Sequence, residues 1–132
     1  MAAIACPMCG LETVEFREAF KKRLSREDIQ GSHGVYIPLN DVAKLSERML
    51  ANENEVSLLF YDVQNNPWEM RLHQSPQGKH FLTGGWRQFV RVKNLITEGG
   101  TVTFYALRCP SCMENIGYTI GVLKLLGKPI IV

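Results

Sequence analysis

Val56 to Tyr61 carries the β-branched and aromatic bias of a strand, Asp62 to Pro67 has the composition of a turn, and Trp68 to Leu72 alternates as a partner strand. This hairpin signal constrains the fold more than any other feature. A chain that commits its middle to period-two alternation must pair those strands laterally, and the rest of the sequence supplies further short strands. Val35-Tyr36-Ile37 ends at Pro38, His80 to Leu82 follows the Ser75 to Gly78 loop, and Thr101 to Leu107 alternates after Gly99-Gly100. Val14 to Phe20 leaves strand and short helix both open, while Tyr118 to Leu123 and Ile130 to Val132 are expected as added edge strands.

Two helices are predicted. Asn40 is the expected cap of one, in which Val42, Leu45 and Met49 form a single apolar stripe. In the other, Trp86, Phe89 and Val90 share one side, which reads as core packing before base stacking. Short strands interrupted by two short helices favour an all-β, barrel-like domain over a layered parallel sheet. At 132 residues with 45% apolar and 21% charged content, the chain suits one such domain over residues 14–108, with 1–13 and 109–132 as flanking segments. No run of about eighteen apolar residues exists, and the N-terminus lacks a basic segment followed by an apolar one. Neither membrane insertion nor secretion is expected.

The formal net charge of +2 conceals an asymmetry. From Arg71 to Lys93 there are Arg and Lys residues but no Asp or Glu, whereas Glu47, Glu53, Glu55, Asp62 and Glu69 precede that stretch. One sector is therefore basic, which focuses the field toward a polyanion even on a nearly neutral molecule. Within it, Arg71, His73, Gln74, Ser75, Gln77, Lys79 and His80 gather on or around one loop. Arg and Gln form paired hydrogen bonds to base edges, and Ser and Lys position a phosphate backbone. A solvated polar face is the plainer reading of the same composition.

An earlier polar arm from Lys22 to His33 carries Lys22, Arg23, Ser25, Arg26, Gln30, Ser32 and His33, and on its own reads as a capped turn. Its Glu27 and Asp28 repel phosphates unless they point away or accept bonds from neighbours. No nucleophile, base and acid are arranged for catalysis, and the adjacent acids Glu27 and Asp28 accompany no metal-cleavage constellation, so no enzyme is expected.

The cysteines form two knuckles, Cys6-Pro7-Met8-Cys9 and Cys109-Pro110-Ser111-Cys112. Two Cys-x-x-Cys pairs present four thiolates tetrahedrally, so structural zinc is expected ahead of free thiols and of redox or disulfide chemistry. Four thiolates leave no open position for catalysis. The long separation makes the site a clip between the two ends of the domain. The apolar Ile116 to Leu126 stretch is read first as buried in the same domain and second as a surface for a protein partner.

Between Phe20 and Leu107 the chain resembles the plant-specific B-three DNA-binding domain of auxin-response, abscisic-acid-response and related transcription factors. The likeness is carried by Leu24-Ser25-Arg26-Glu27-Asp28-Ile29, Val35-Tyr36-Ile37-Pro38, Trp68-Glu69-Met70-Arg71, Leu82-Thr83-Gly84-Gly85-Trp86-Arg87-Gln88-Phe89-Val90, Asn94-Leu95 and Val102-Thr103-Phe104 in matching order. It implies a seven-stranded open pseudobarrel with two short helices, binding double-stranded DNA in the major groove through two arms, in the nucleus. Lys22 to His33 is the N-terminal arm, with Arg23, Ser25, Arg26 and Gln30 as candidates. Arg71 to Lys79 is the C-terminal arm, with Gln74, Gln77 and Lys79. The cysteine knuckles lie outside the family pattern. A zinc-stabilised protein-interaction module without DNA recognition is the alternative.

Overall fold

The computed structural model describes residues 6, 9–10, 14–46, 54–94, 98–113, 115–123 and 129–132. Pro7, Met8, Glu47, Met49, Glu53, Leu95 and the end of the apolar stretch from Lys124 to Leu126 lie outside the described residues. In chain order the elements are β1 (Glu15–Arg23), α1 (Arg26–Gln30), β2 (Val35–Ile37), α2 (Leu39–Leu45), β3 (Glu55–Tyr61), β4 (Pro67–Gln74), β5 (His80–Gly84), α3 (Trp86–Lys93), β6 (Thr101–Arg108), β7 (Asn115–Leu123) and β8 (Pro129–Ile131).

The expected hairpin is β3 and β4, paired antiparallel from Glu55↔His73 to Tyr61↔Pro67. Alternation sends Val56, Leu58 and Phe60 inward from β3 and Met70 and Leu72 inward from β4. These strands belong to one sheet of order β1-β6-β7-β3-β4-β5-β2, with β8 added on β7. The sheet is open and strongly curved around its core, and the architecture is the all-β pseudobarrel that the strand pattern anticipates. The path holds seven strands; β8 makes an eighth.

Three expectations about local structure are corrected. The stretch read as a capped turn contains a third helix, α1, because Ser25 and Asp28 close a reciprocal capping box around its first turn. α2 begins at Leu39 behind Pro38, not behind Asn40. The fixed φ of Pro38 ends β2, and its carbonyl accepts the first bond, from the Asp41 amide at 2.9 Å. β7 is not an edge strand, since it lies between β6, which it pairs antiparallel, and β3, which it meets in parallel at Phe60↔Tyr118.

Inside the sheet, Phe104 stacks on Phe20 at 4.7 Å between ring centroids and meets Phe60 edge-on, and Phe60 in turn packs on Tyr118. Tyr118, Ile120 and Val122 are buried in the core, while Ile116 at the start of the apolar stretch is half-buried. α2 packs against β1 and inserts Val42 and Leu45, and the Tyr118 hydroxyl donates to the Leu45 carbonyl. α3 packs against β5 and α1, burying Trp86, Phe89 and Val90 as its spacing predicts.

The two sheet edges, β1 and β2, are joined by side chains rather than by a ladder. Lys22, at the end of β1, holds its ammonium 5.0 Å from the centre of the Tyr36 ring on β2. The same ammonium lies 3.6 Å from Asp28 Oδ2, and Asp28 Oδ1 accepts from the Tyr36 amide at 3.0 Å. The N-terminal arm is thus the seam of the pseudobarrel.

Candidate nucleic-acid interface

The seam is built around Asp28. Its side chain accepts from the Ser25 amide at 2.8 Å and from Tyr36, while its own amide donates to Ser25 Oγ at 3.2 Å. The Asp28 carbonyl accepts from the Trp86 indole at 2.7 Å, which fastens α1 to α3. A carboxylate that the sequence placed among phosphate contacts is therefore buried, satisfied by hydrogen bonds and paired with Lys22. Lys22 and Ser25 spend their polar groups inside the arm. Arg23, Arg26, Gln30, Ser32 and His33 remain exposed, with Arg26 Nε donating to Gln30 Oε1 at 3.1 Å.

The second arm grows from the β4–β5 hairpin. Ser75 forms the hinge of the turn: its amide donates to the Lys79 carbonyl at 2.7 Å, and its hydroxyl accepts from the Lys79 amide at 3.2 Å. Gly78, at φ 84°, allows the chain to reverse, and its amide donates to the Ser75 carbonyl. Gln74, Gln77 and Lys79 are exposed on this turn. Arg71 sits further down β4, also exposed, within 3.8 Å of Glu55 on the paired strand. His80, read from sequence with the loop, is buried and pairs with Ile37.

β2 and β5 bring the two arms side by side. Their register, Val35↔Leu82 to Ile37↔His80, places Tyr36 opposite Phe81, and β4 places His73 on the other side of Phe81. These rings share one sheet face, and His33 leans over Phe81 at 5.4 Å. The result is a groove of about 230 Å³ lined by His33 from the first arm, Ser75, Gln77 and Lys79 from the second, and Phe81 between them. Phe81 was missed by sequence reasoning because it stands between the buried His80 and Leu82 and looks like core.

Charge around this surface is mostly positive. Arg87 and Arg91 are exposed on α3, where they border an open hollow with Gly84, Gln88 and Val92. Lys93, also in the basic stretch, faces the other way and bonds Asp62 Oδ2 at 3.0 Å. Burial alone would raise the Asp62 pKa. Hydrogen bonds from the Trp68 indole, the Asn66 amide, Lys93 and the Gln64 amide outweigh it and hold the carboxyl at about 2. Asp62 thus anchors the hairpin to α3.

Away from the arms, the four cysteines converge. Cys6 Sγ lies 3.9 Å from Cys112 Sγ, Cys9 Sγ lies 3.5 Å from Cys109 Sγ, and all four sulfurs fall within 4.8 Å of one another. Zn–S bonds of about 2.3 Å in a tetrahedron require sulfurs about 3.8 Å apart, so the cluster has the dimensions to hold a metal ion. Hydrogen bonding with Cys9, followed by burial and the bonds to Cys109 and Cys6, pushes the Cys112 thiol up to about 12, a consequence of sulfur crowding.

The family described as the B3 DNA binding domain matches residues 20–114. Auxin response factor 13 of rice (Oryza sativa subsp. japonica) is 29% identical over 103 residues, which cover 76% of this chain and 19% of that protein. A B3 domain-containing protein of the same rice is 34% identical over 98 residues, covering 71% of this chain and 36% of the relative. The chain thus spans about a fifth to a third of the relatives it matches. In the described residues, no helix is long and apolar enough to cross a membrane.

Proposed function

We propose, from the premise that this chain belongs to the B3 DNA binding domain family, that it sets both arms into one major groove of double-stranded DNA and discriminates base sequence there. In this reading it is the DNA-recognising part of a plant transcription factor that works in the nucleus and performs no catalysis.

The observation that carries the reading is the groove that His33 shares with Ser75, Gln77 and Lys79 over Phe81. Loops that start from different strands but border one concave surface can meet the same stretch of duplex. Lys79, Arg23 and Arg26 are assigned to phosphates, where their charge supplies affinity without sequence information. Gln74, Gln77 and Gln30 are assigned to base edges, with Ser32 and His33 beside them and Arg71 as an outer phosphate contact. Lys22 and Ser25 support the arm from within. Phe81 offers an apolar floor against which a thymine methyl or a sugar can rest. The four cysteines are assigned to one zinc ion that stabilises the domain outside the interface. The alternative of a protein-interaction module draws no support, since Tyr118, Ile120 and Val122 are occupied in the core.

Selection from randomised duplex DNA, followed by affinity measurements at two salt concentrations, tests the proposal. Enrichment of a defined motif bound more weakly at higher salt is expected. Absence of salt-sensitive binding to any duplex would end it.

A further inference from the structure

The cysteine cluster lies at one end of an edge strand of the sheet. β1 is an edge strand whose one neighbour along the sheet is β6, and of its nine residues only Phe20 is buried. Ala19 and Phe16 are only partly covered, and an edge strand with so little of itself buried frays from its ends unless the ends are fastened. At one end Arg23 pairs with Thr101, and the turn beyond is closed by the Leu24 amide on the Gly100 carbonyl and the Gly99 amide on the Leu24 carbonyl, both at 2.8 Å. At the other end Glu15 pairs with Arg108, the residue that precedes Cys109. There the sulfurs of Cys6 and Cys9, before β1, meet those of Cys109 and Cys112, between β6 and β7.

The two knuckles share one geometry. The Gly10 amide donates to the Cys6 carbonyl at 2.9 Å, and the Met113 amide donates to the Cys109 carbonyl at 2.7 Å. The residue after each second cysteine is left-handed, Gly10 at φ 76° and Met113 at φ 61°. For a side chain as large as Met113 that conformation is uncommon, so the turn around Cys109 is specified against local preference. The Cys112 amide also points at Cys109 Sγ at 3.4 Å, the kind of donor that steadies a thiolate. Arg108, with its guanidinium 3.7 Å from Met113 Sδ, brings positive charge beside a cluster that becomes anionic when four thiols release their protons to solvent and bind a divalent ion.

Resting on the reading of the four thiols as a zinc site, we infer that the ion is a clasp for the edge strand. It fastens the chain ahead of β1 to the β6–β7 turn and keeps the β1–β6 ladder closed along its length. The far end of that ladder, where Lys22 and Arg23 open the N-terminal arm, is fastened separately by Leu24 against Gly99 and Gly100. Metal therefore governs the order of the strand that leads into one DNA-contacting arm without touching DNA.

The test uses the full chain, purified with zinc, and follows amide hydrogen exchange before and after chelation, with Co²⁺ replacing zinc in parallel. One equivalent of zinc and the thiolate-to-Co²⁺ charge-transfer band of a tetrahedral four-sulfur site are expected. Chelation, or Cys112→Ser, raises exchange in Glu15–Arg23 and Thr101–Arg108 at least tenfold, while Glu55–Tyr61 and Pro67–Gln74 keep their protection. Lack of stoichiometric metal, iron in its place, or a Cys6–Cys112 disulfide would overturn the zinc assignment itself. Metal that binds as expected but whose removal leaves β1 and β6 unchanged, or loosens every strand equally, would overturn the clasp alone.

Discussion

The Trp86 indole donates a 2.7 Å hydrogen bond to the Asp28 carbonyl, joining the helix that seals the core to the arm that closes the sheet. Trp86 is fully buried and Asp28 nearly so, so losing the bond leaves a buried carbonyl without its indole donor. Trp86→Phe keeps much of the aromatic bulk but removes the donor and leaves a small void. Urea unfolding is expected to show a loss of about 2–4 kcal/mol, combining the unsatisfied carbonyl with the lost volume. DNA affinity should also fall, because α1 loses its tie to α3.

Ser25 separates a cap from a base contact. Its hydroxyl accepts from the Asp28 amide, so in the folded arm it is committed to α1. Ser25→Ala is expected to lower stability by about 1 kcal/mol. In a binding assay against a panel of single-base variants it should weaken all sites alike, leaving the order of preference intact. A change of preferred base would assign Ser25 to readout instead.

Gly34 is required by close approach. It sits at φ 88°, and a Cβ added there would collide with the Leu82 carbonyl on β5. The demand at Gly34 is for backbone contact between the first arm and β5. Gly34→Ala should cost about 2–4 kcal/mol by thermal or urea melts, combining left-handed strain with displacement of β2. Gly78→Ala has a similar φ but no backbone neighbour within reach, so a smaller loss is expected.

What the sequence makes legible follows from which interactions are local. The β3–β4 hairpin and the buried face of α3 are readable because turn chemistry and periodicity lie within one short window. α1 is not, since Arg26–Gln30 is too short for an apolar stripe, and its signal is the Ser25 and Asp28 capping box. The interior place of β7 depends on pairing with β6 and with distant β3, and Gly117 and Gly121 weaken its alternation, so it reads as an edge. In the groove, Gln77 and Lys79 announce themselves as exposed polar residues, but Phe81 is recognisable only once the β2–β5 register turns it outward.

Asp62 gives the fold an acid limit. Its carboxyl is held at about 2 against an ordinary value of 3.8, so the charged form is favoured by the folded state. The resulting contribution is fully present above about pH 4 and is lost as pH falls toward 2, amounting to about 2 kcal/mol for a buried side chain. Asp62→Asn should lose at least that much at pH 7, since Lys93 is then left without its carboxylate. Unfolding free energies of the two proteins, measured from pH 6 downward, are expected to converge as pH approaches 2. A gap that stays constant over that range would show that the ionised form is not what stabilises the hairpin against α3.

Lys79 and Gln77 stand on the same turn and line the same groove, yet they should fail differently. An ammonium contributes to binding through a phosphate wherever the protein sits on the duplex, so its loss is felt by all sequences and removes one released counterion. A side-chain amide, by contrast, matches a donor and acceptor pair on a particular base, and its loss matters only where that base is present. Lys79→Ala is therefore expected to weaken binding to selected and unrelated duplexes by a similar factor, and to reduce the slope of log affinity against log salt by about one. Gln77→Ala should leave that slope unchanged and cost about 1–3 kcal/mol on the preferred site, with little effect on unrelated duplexes. Affinity measured for both variants across a salt series on both kinds of duplex separates the two roles. If the variants behave alike, the turn acts as one cationic surface and direct readout must come from the first arm.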